Sequence, residues 1–215
     1  MLIACWSVKG GVGTTVLAAG LALAADCPPE DPCILADLAG DLPAALGLAE
    51  PSGPGLAEWS RAGSQVPPDA LARLVTEVKP GVRLLHRGRG AFDPSRARVL
   101  IQLLAGLGRE VVVDCGLVPG EVSDVVAAEA DRSWLVTRPC LLGLRRASAA
   151  PVRPSGVVVV SEAGRALDGE DVSTVVGAPL VADLAVDPAV ARAVDAGLLT
   201  SRLPRRFAEA LRDIR

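Results

Sequence analysis

The opening of the chain leaves few folds available to it. An unbroken apolar run, Leu2 to Val8, passes straight into Lys9-Gly10-Gly11-Val12-Gly13-Thr14-Thr15, and an Ala- and Leu-rich stretch to Ala25 follows at once. The first run has the length of a buried strand, and the stretch from Thr14 has the length and composition of a helix. Glycines at positions 10, 11 and 13 let backbone N–H groups curl round an anion without Cβ clashes, and the helix N-terminus adds its positive dipole end. Strand, glycine loop and helix together predict a phosphate-binding loop, with the Thr15 hydroxyl where such a loop places a Mg²⁺ ligand. The same residues also fit a tight strand-to-helix turn that holds no ligand.

The rest of the chain repeats the strand–helix alternation. Strands are expected at Cys33 to Leu38, Val82 to His86, Val111 to Val113, Ser133 to Thr137, Val157 to Ser161 and Leu180 to Leu184. Helices are expected between them, one from Asp93 to Leu104 with Pro94 in its first turn and the last from Pro204 to about Ile214. The stretch from Ala39 to Gly90 is rich in Pro and Gly, with short helical pieces at Leu56 to Ala62 and near Asp69 to Leu74. Short continuous apolar strands separated by helices predict an α/β, doubly wound, mainly parallel sheet with right-handed crossovers, formed as a single domain over residues 1–215. Ligands bind such sheets beyond the carboxyl ends of their strands. The loops after Val8, Leu38, Val113, Thr137 and Ser161 should therefore share one edge.

Composition narrows the function classes. Half the residues are hydrophobic, with three Trp, two Phe and no Tyr, so the core must be Val, Leu and Ala, which suits strands buried on both faces. A formal net charge of −3 argues against coating nucleic acid by bulk positive charge, so nucleic acid is not an expected partner. Arg145, Arg146, Arg202, Arg205 and Arg206 could form a local basic face or an ordinary solvated surface. The five cysteines have no zinc-ligand spacing backed by histidine, and the lone His86 leaves nothing for a Ser-His site. Val12 to Ala25 has no basic leader, is interrupted by glycine and is too short to span a bilayer, so a cytoplasmic protein is expected.

Lys9 to Thr15 resembles the deviant Walker A loop of the MinD/ParA family of P-loop ATPases (the SIMIBI class), which reads K-G-G-x-G-K-[ST]. Ile34-Leu35-Ala36-Asp37-Leu38-Ala39-Gly40-Asp41-Leu42 is similar to the family's second strand and loop, and Val111-Val112-Val113-Asp114-Cys115-Gly116 to its Walker B-like strand. Leu135-Val136-Thr137-Arg138-Pro139, Gly177-Ala178-Pro179-Leu180, Val186-Asp187-Pro188 and Ala191-Arg192-Ala193 extend the likeness along most of the chain. The resemblance implies ATP or ADP with Mg²⁺ as cofactors. It places the nucleotide on Lys9, Gly10, Gly11, Val12, Gly13, Thr14 and Thr15, and the metal on Thr15 and, through water, Asp114. It also implies a homodimer in which Lys9 reaches phosphate across the interface, and it makes Lys9 and Asp37 the candidate catalytic residues.

Two departures bear on activity. Thr14 stands where the family's second lysine would be, and Ala39 where the second Asp of its D-x-D motif orients the attacking water. The lost ammonium is worth about 1.5–3 kcal/mol of charge-assisted contact. The lost carboxylate bears on a step worth roughly 10²–10⁴ in rate. Ser161 and Glu162 occupy the place where many relatives carry an adenine-recognising Asn, and the chain has no Asn at all. An altered loop on such a chain is most similar to the CpaE/TadZ proteins of Tad/Flp pilus and secretion loci, atypical ATPases that position a machine at the cell pole. This implies a localisation or assembly factor with weak nucleotide binding, little or no hydrolysis, and protein partners in that machine. The alternative is an active ParA/MinD-type ATPase of DNA partitioning or division-site placement. At the C-terminus, Leu203, Phe207, Leu211 and Ile214 recur at helical spacing among Arg205, Arg206, Arg212 and Arg215. This stripe fits either a peripheral inner-membrane contact or a helix packed on the sheet.

Overall fold

The first apolar run becomes the axis of the molecule. β1 (Leu2–Ser7) pairs with β5 (Val111–Leu117) on one side and β6 (Arg132–Thr137) on the other. Outside β5 lie β2 (Cys33–Asp37), β4 (Val82–Leu85) and the edge strand β3 (Thr76–Lys79); outside β6 lie β7 (Gly156–Ser161) and β8 (Leu180–Ala185). The computed structural model describes residues 1–63 and 70–214, and among these the strands form one eight-stranded sheet. All pairs are parallel except β3 with β4. The α/β doubly wound architecture expected from the alternation is what forms.

Side-chain alternation divides the core in two. Leu2, Ala4, Trp6, Ile34, Ala36, Val111, Val113, Leu135, Val157 and Val159 point to one face. There they meet α3 (Leu56–Arg61), α4 (Ala70–Leu74), α5 (Ala97–Ala105), α6 (Glu121–Glu129), α7 (Leu141–Ser148) and α8 (Gly169–Val176). Ile3, Cys5, Cys33, Leu35, Val112, Trp134, Val136 and Val158 point to the other. That face is covered by α1 (Thr14–Ala24), α2 (Leu42–Leu46), α9 (Pro188–Asp195) and α10 (Arg205–Arg212). The same alternation carries Asp37 and Asp114 onto the α1 side, each one step beyond the last apolar residue of its face.

Several boundaries differ from the sequence reading. β5 runs on to Leu117, past the expected end at Val113. The helix expected from Asp93 begins as a 3-10 turn, Pro94–Arg96, capped by Asp93 Oδ1 accepting from the Ser95 amide at 3.0 Å, and becomes α5 only at Ala97. Both helical pieces expected between Ala39 and Gly90 are present as α3 and α4, with Asp69 outside the described residues. α2 and β3 were not expected there. β3 reads Thr-Glu-Val-Lys, too polar to signal a strand, because it is an exposed edge.

The C-terminal stripe turns inward. Leu211 and Ile214 are buried and Phe207 and Leu203 pack partly buried in the α1-side core, so this apolar face belongs to the fold rather than to a membrane. Arg215 lies outside the described residues. No helix among the described residues is long and apolar enough to cross a membrane. The approach of α10 to α1 depends on Gly20, where an added Cβ would stand 2.6 Å from Leu211 Cδ1 and 2.7 Å from Phe207 Cε1. Gly20→Val should therefore lower stability by about 1–3 kcal/mol through overpacking. Urea denaturation checks this, and an unchanged midpoint would contradict the packing described.

Candidate functional site

The loop after β1 lines a cleft of about 890 Å³ at the carboxyl ends of β1, β2 and β5. Gly11 and Gly13 adopt φ of 72° and 100°, left-handed conformations that a side chain would strain. Gly13 occupies the N-cap position of α1, where it offers no side-chain cap, and the first turn carries no acid. The orphan N–H groups of that turn are thus left to whatever enters the cleft, beside the positive end of an eleven-residue helix. Gly10 to Thr15 all line the cleft. The Thr14 hydroxyl, buried at 7% exposure, has no hydrogen-bond partner.

Beneath the cleft two carboxylates stand side by side. β2 and β5 are paired so that Asp37 and Asp114 are in register, and both are wholly buried. Burial raises Asp37 to about 7, the Asp114 charge adding to it, against hydrogen bonds from the Gly40, Leu42 and Ala39 amides that favour the carboxylate. Burial likewise raises Asp114 to about 6, opposed by the Thr15 hydroxyl and the Gly116 amide and assisted by the charge of Asp41. Asp37 spends both oxygens on its own loop. Oδ1 accepts from the Gly40 amide at 2.6 Å and Oδ2 from the Leu42 amide at 3.2 Å. Asp114 Oδ1 accepts from the Gly116 amide at 3.1 Å, whereas Oδ2 has no hydrogen-bond partner.

A buried carboxylate oxygen without a partner, close to a Thr hydroxyl at a helix start, fits a divalent cation. Among the described residues no three His, Cys, Asp or Glu side chains converge. That donor set suits Mg²⁺, which keeps most of its waters, with Thr15 and Asp114 as the residues that would hold it.

The two catalytic candidates do not line the cleft. Asp37 lies below it as a positioning residue, and Lys9 lines an adjoining cavity of about 120 Å³ with Arg138, Cys140, Glu162 and Arg165. In that cavity Arg138 Nη1 donates to Glu162 Oε1 at 2.7 Å, and Arg165 pairs with the same carboxylate. Lys9 has no hydrogen bond or ion pair among the described residues. The loops after Thr137 and Ser161 thus reach the expected edge but form this second cavity. Sequence reasoning missed Asp41 and Asp195, the charged side chains among the described residues that do line the cleft. Asp41 carries a signal, since Asp41-Leu42-Pro43 is a helix start, but the signal is for a cap and not for a cleft residue.

No protein-family model and no curated protein matches the sequence. Solved structures do match in fold. A ParA family ATPase from Chlorobium tepidum superposes with a TM-score of 0.78 at 22% identity, over 99% of this chain and 97% of that one. The septum site-determining protein MinD of Pyrococcus horikoshii, complexed with Mg-ADP, gives 0.76 at 19%, over 99% and 93%. The MinC:MinD cell division protein complex of Aquifex aeolicus gives 0.78 at 19%, over 99% and 93%. The chain has the MinD/ParA fold. In this fold the glycine loop follows the central strand and its cleft opens where the strand order reverses, between β1, β5 and β2.

The paired carboxylates make a pH prediction. Asp37 and Asp114 hold protons in the folded protein up to about pH 7 and 6, while in the unfolded chain they ionise near 3.9. The folded state binds more protons between those limits, so stability should fall as pH rises from about 4 through 7, by on the order of a few kcal/mol, and level off above. Asp114→Asn should flatten this dependence. Thermal unfolding from pH 5 to 8 without divalent cations checks it, and stability rising with pH over that range would contradict the buried pair.

Proposed function

We propose that the protein is a nucleotide-binding relative of MinD and ParA that acts as a localisation or assembly factor, of the CpaE/TadZ kind, for a pilus or secretion machine. It binds ATP or ADP with Mg²⁺ weakly and turns it over little or not at all. One observation carries this reading: the loop keeps an anion's shape, yet among the described residues no cationic side chain lines the cleft and Ala39 brings no carboxylate. A homodimer is supported by Lys9, which stands unpaired outside its own cleft, and by Leu117, Leu141 and Leu142, exposed apolar side chains at the same edge of the sheet.

A second reading, an active ATPase of DNA partitioning or division-site placement, is favoured by a single observation. The Asp41 carboxylate reaches the cleft that Ala39 leaves without one.

Hydrolysis of Mg²⁺-ATP by the purified protein separates the two. No turnover above background is expected, and brisk turnover abolished by Asp114→Ala would overturn the scaffold reading. Nucleotide titration of Thr14→Lys beside the wild type should show binding tightened about tenfold to a hundredfold, the worth of one charge-assisted contact. Unchanged affinity would mean that the loop receives no phosphate.

A further inference from the structure

We infer that the cleft admits a polyphosphate only as its divalent metal complex, with Asp41 drawing in the ion that stands in for the missing lysine. This rests on the reading of the cleft as a nucleotide site and says what that site demands of its ligand.

The charges around the cleft carry the inference. Among the described residues, the charged side chains that line it are Asp41 and Asp195, both negative. Asp37 and Asp114 lie directly beneath, and Lys9 faces the adjoining cavity. The glycine loop offers backbone N–H donors but no net charge, so a bare triphosphate meets like charge with only the dipole of α1, worth roughly half an elementary charge, to offset it. Each such close pairing of like charges costs roughly tenfold in affinity. A divalent ion reverses the balance, because its charge satisfies phosphate and carboxylate together.

Asp41 is free for this role because another residue has taken its ordinary one. It occupies the N-cap position of α2, yet its side chain makes no capping hydrogen bond. Asp37 caps in its stead, Oδ2 accepting from the Leu42 amide and Oδ1 from that of Gly40. The Asp41 carboxylate is left exposed in the cleft, near enough to Asp114 for the two charges to interact. Two buried groups point to an ion there. Asp114, 0% exposed, has Oδ2 without a partner, and Thr14, on the cleft wall, has an unpartnered hydroxyl. Thr15, Asp114 and Asp41 are therefore the residues of this chain that would face the ion, Asp41 from the solvent side, where it acts as a positioning residue for the metal.

The test pairs two measurements on the full chain. Titration with a fluorescent ATP analogue is run in excess Mg²⁺ and in EDTA. Mn²⁺ binding to the nucleotide-free protein is read by electron paramagnetic resonance. Wild type should lose at least about a hundredfold in nucleotide affinity in EDTA. Asp41→Asn should weaken the Mg²⁺ complex and Mn²⁺ binding about tenfold each, yet tighten metal-free nucleotide several-fold. This crossed pattern is one that a merely structural residue would not give. Asp195→Asn should tighten metal-free nucleotide without loss of Mn²⁺, and Thr14→Lys should relieve the metal requirement. Wild-type affinity that is equal in Mg²⁺ and EDTA, or an Asp41→Asn variant weakened equally in both, would overturn the inference and leave the nucleotide reading standing. No nucleotide binding under any condition would overturn both.

Discussion

The register of β2 against β5 sets Asp37 opposite Asp114, and most of what the site can do descends from that pairing. Parallel strands lie about 4.8 Å apart, and residues in register point to the same face, so two carboxylates at strand ends are forced into one buried space. Their burial is costly as charge, which is why both titrate far above ordinary aspartate. The protein tolerates the cost by giving each carboxylate backbone N–H partners and by holding them under the N-terminus of α1. One oxygen, Asp114 Oδ2, is left without a partner. That oxygen, more than any motif letter, argues for a cation in the cleft.

The glycine loop and the carboxylates make opposite electrostatic demands. A helix N-terminus with uncapped amides attracts an anion, whereas Asp41, Asp195 and the buried pair repel it. In a loop with a lysine at position 14 the ammonium would reconcile the two. Here Thr14 buries a hydroxyl instead, and the reconciliation falls to a metal ion or fails. On the proposed reading, weak binding, a strict need for Mg²⁺ and poor turnover would all follow from this one conflict.

Much of the fold was legible because parallel strands buried on both faces must be apolar throughout, and helices between them must not be. β1, β2, β6 and β7 announce themselves in this way. α2 and β3 did not: the first is only five residues long, and the second lies exposed at the sheet edge with half its residues charged. Within the site, the strand–loop–helix order brings the glycine loop and Thr15 to the cleft, and strand register sets Asp114 beside Asp37, because backbone geometry fixes where such residues fall. Spacing could not say which way a long side chain leaves the backbone, and the structure sets Lys9 in the adjoining cavity, outside the cleft of its own chain. Asp41 was passed over for a related reason. Its position reads as a helix cap, and only the structure shows Asp37 performing that duty from four residues earlier.

Whether the glycine turn before α1 receives phosphate, as proposed, is tested without reference to turnover by amide chemical shifts of the isotope-labelled protein, followed by nuclear magnetic resonance while Mg²⁺-ADP is added. The largest changes should fall on Gly11, Gly13, Thr14 and Thr15, with smaller ones at Gly116. Changes confined to residues around Arg138 and Arg165, with the glycine turn unmoved, would contradict it.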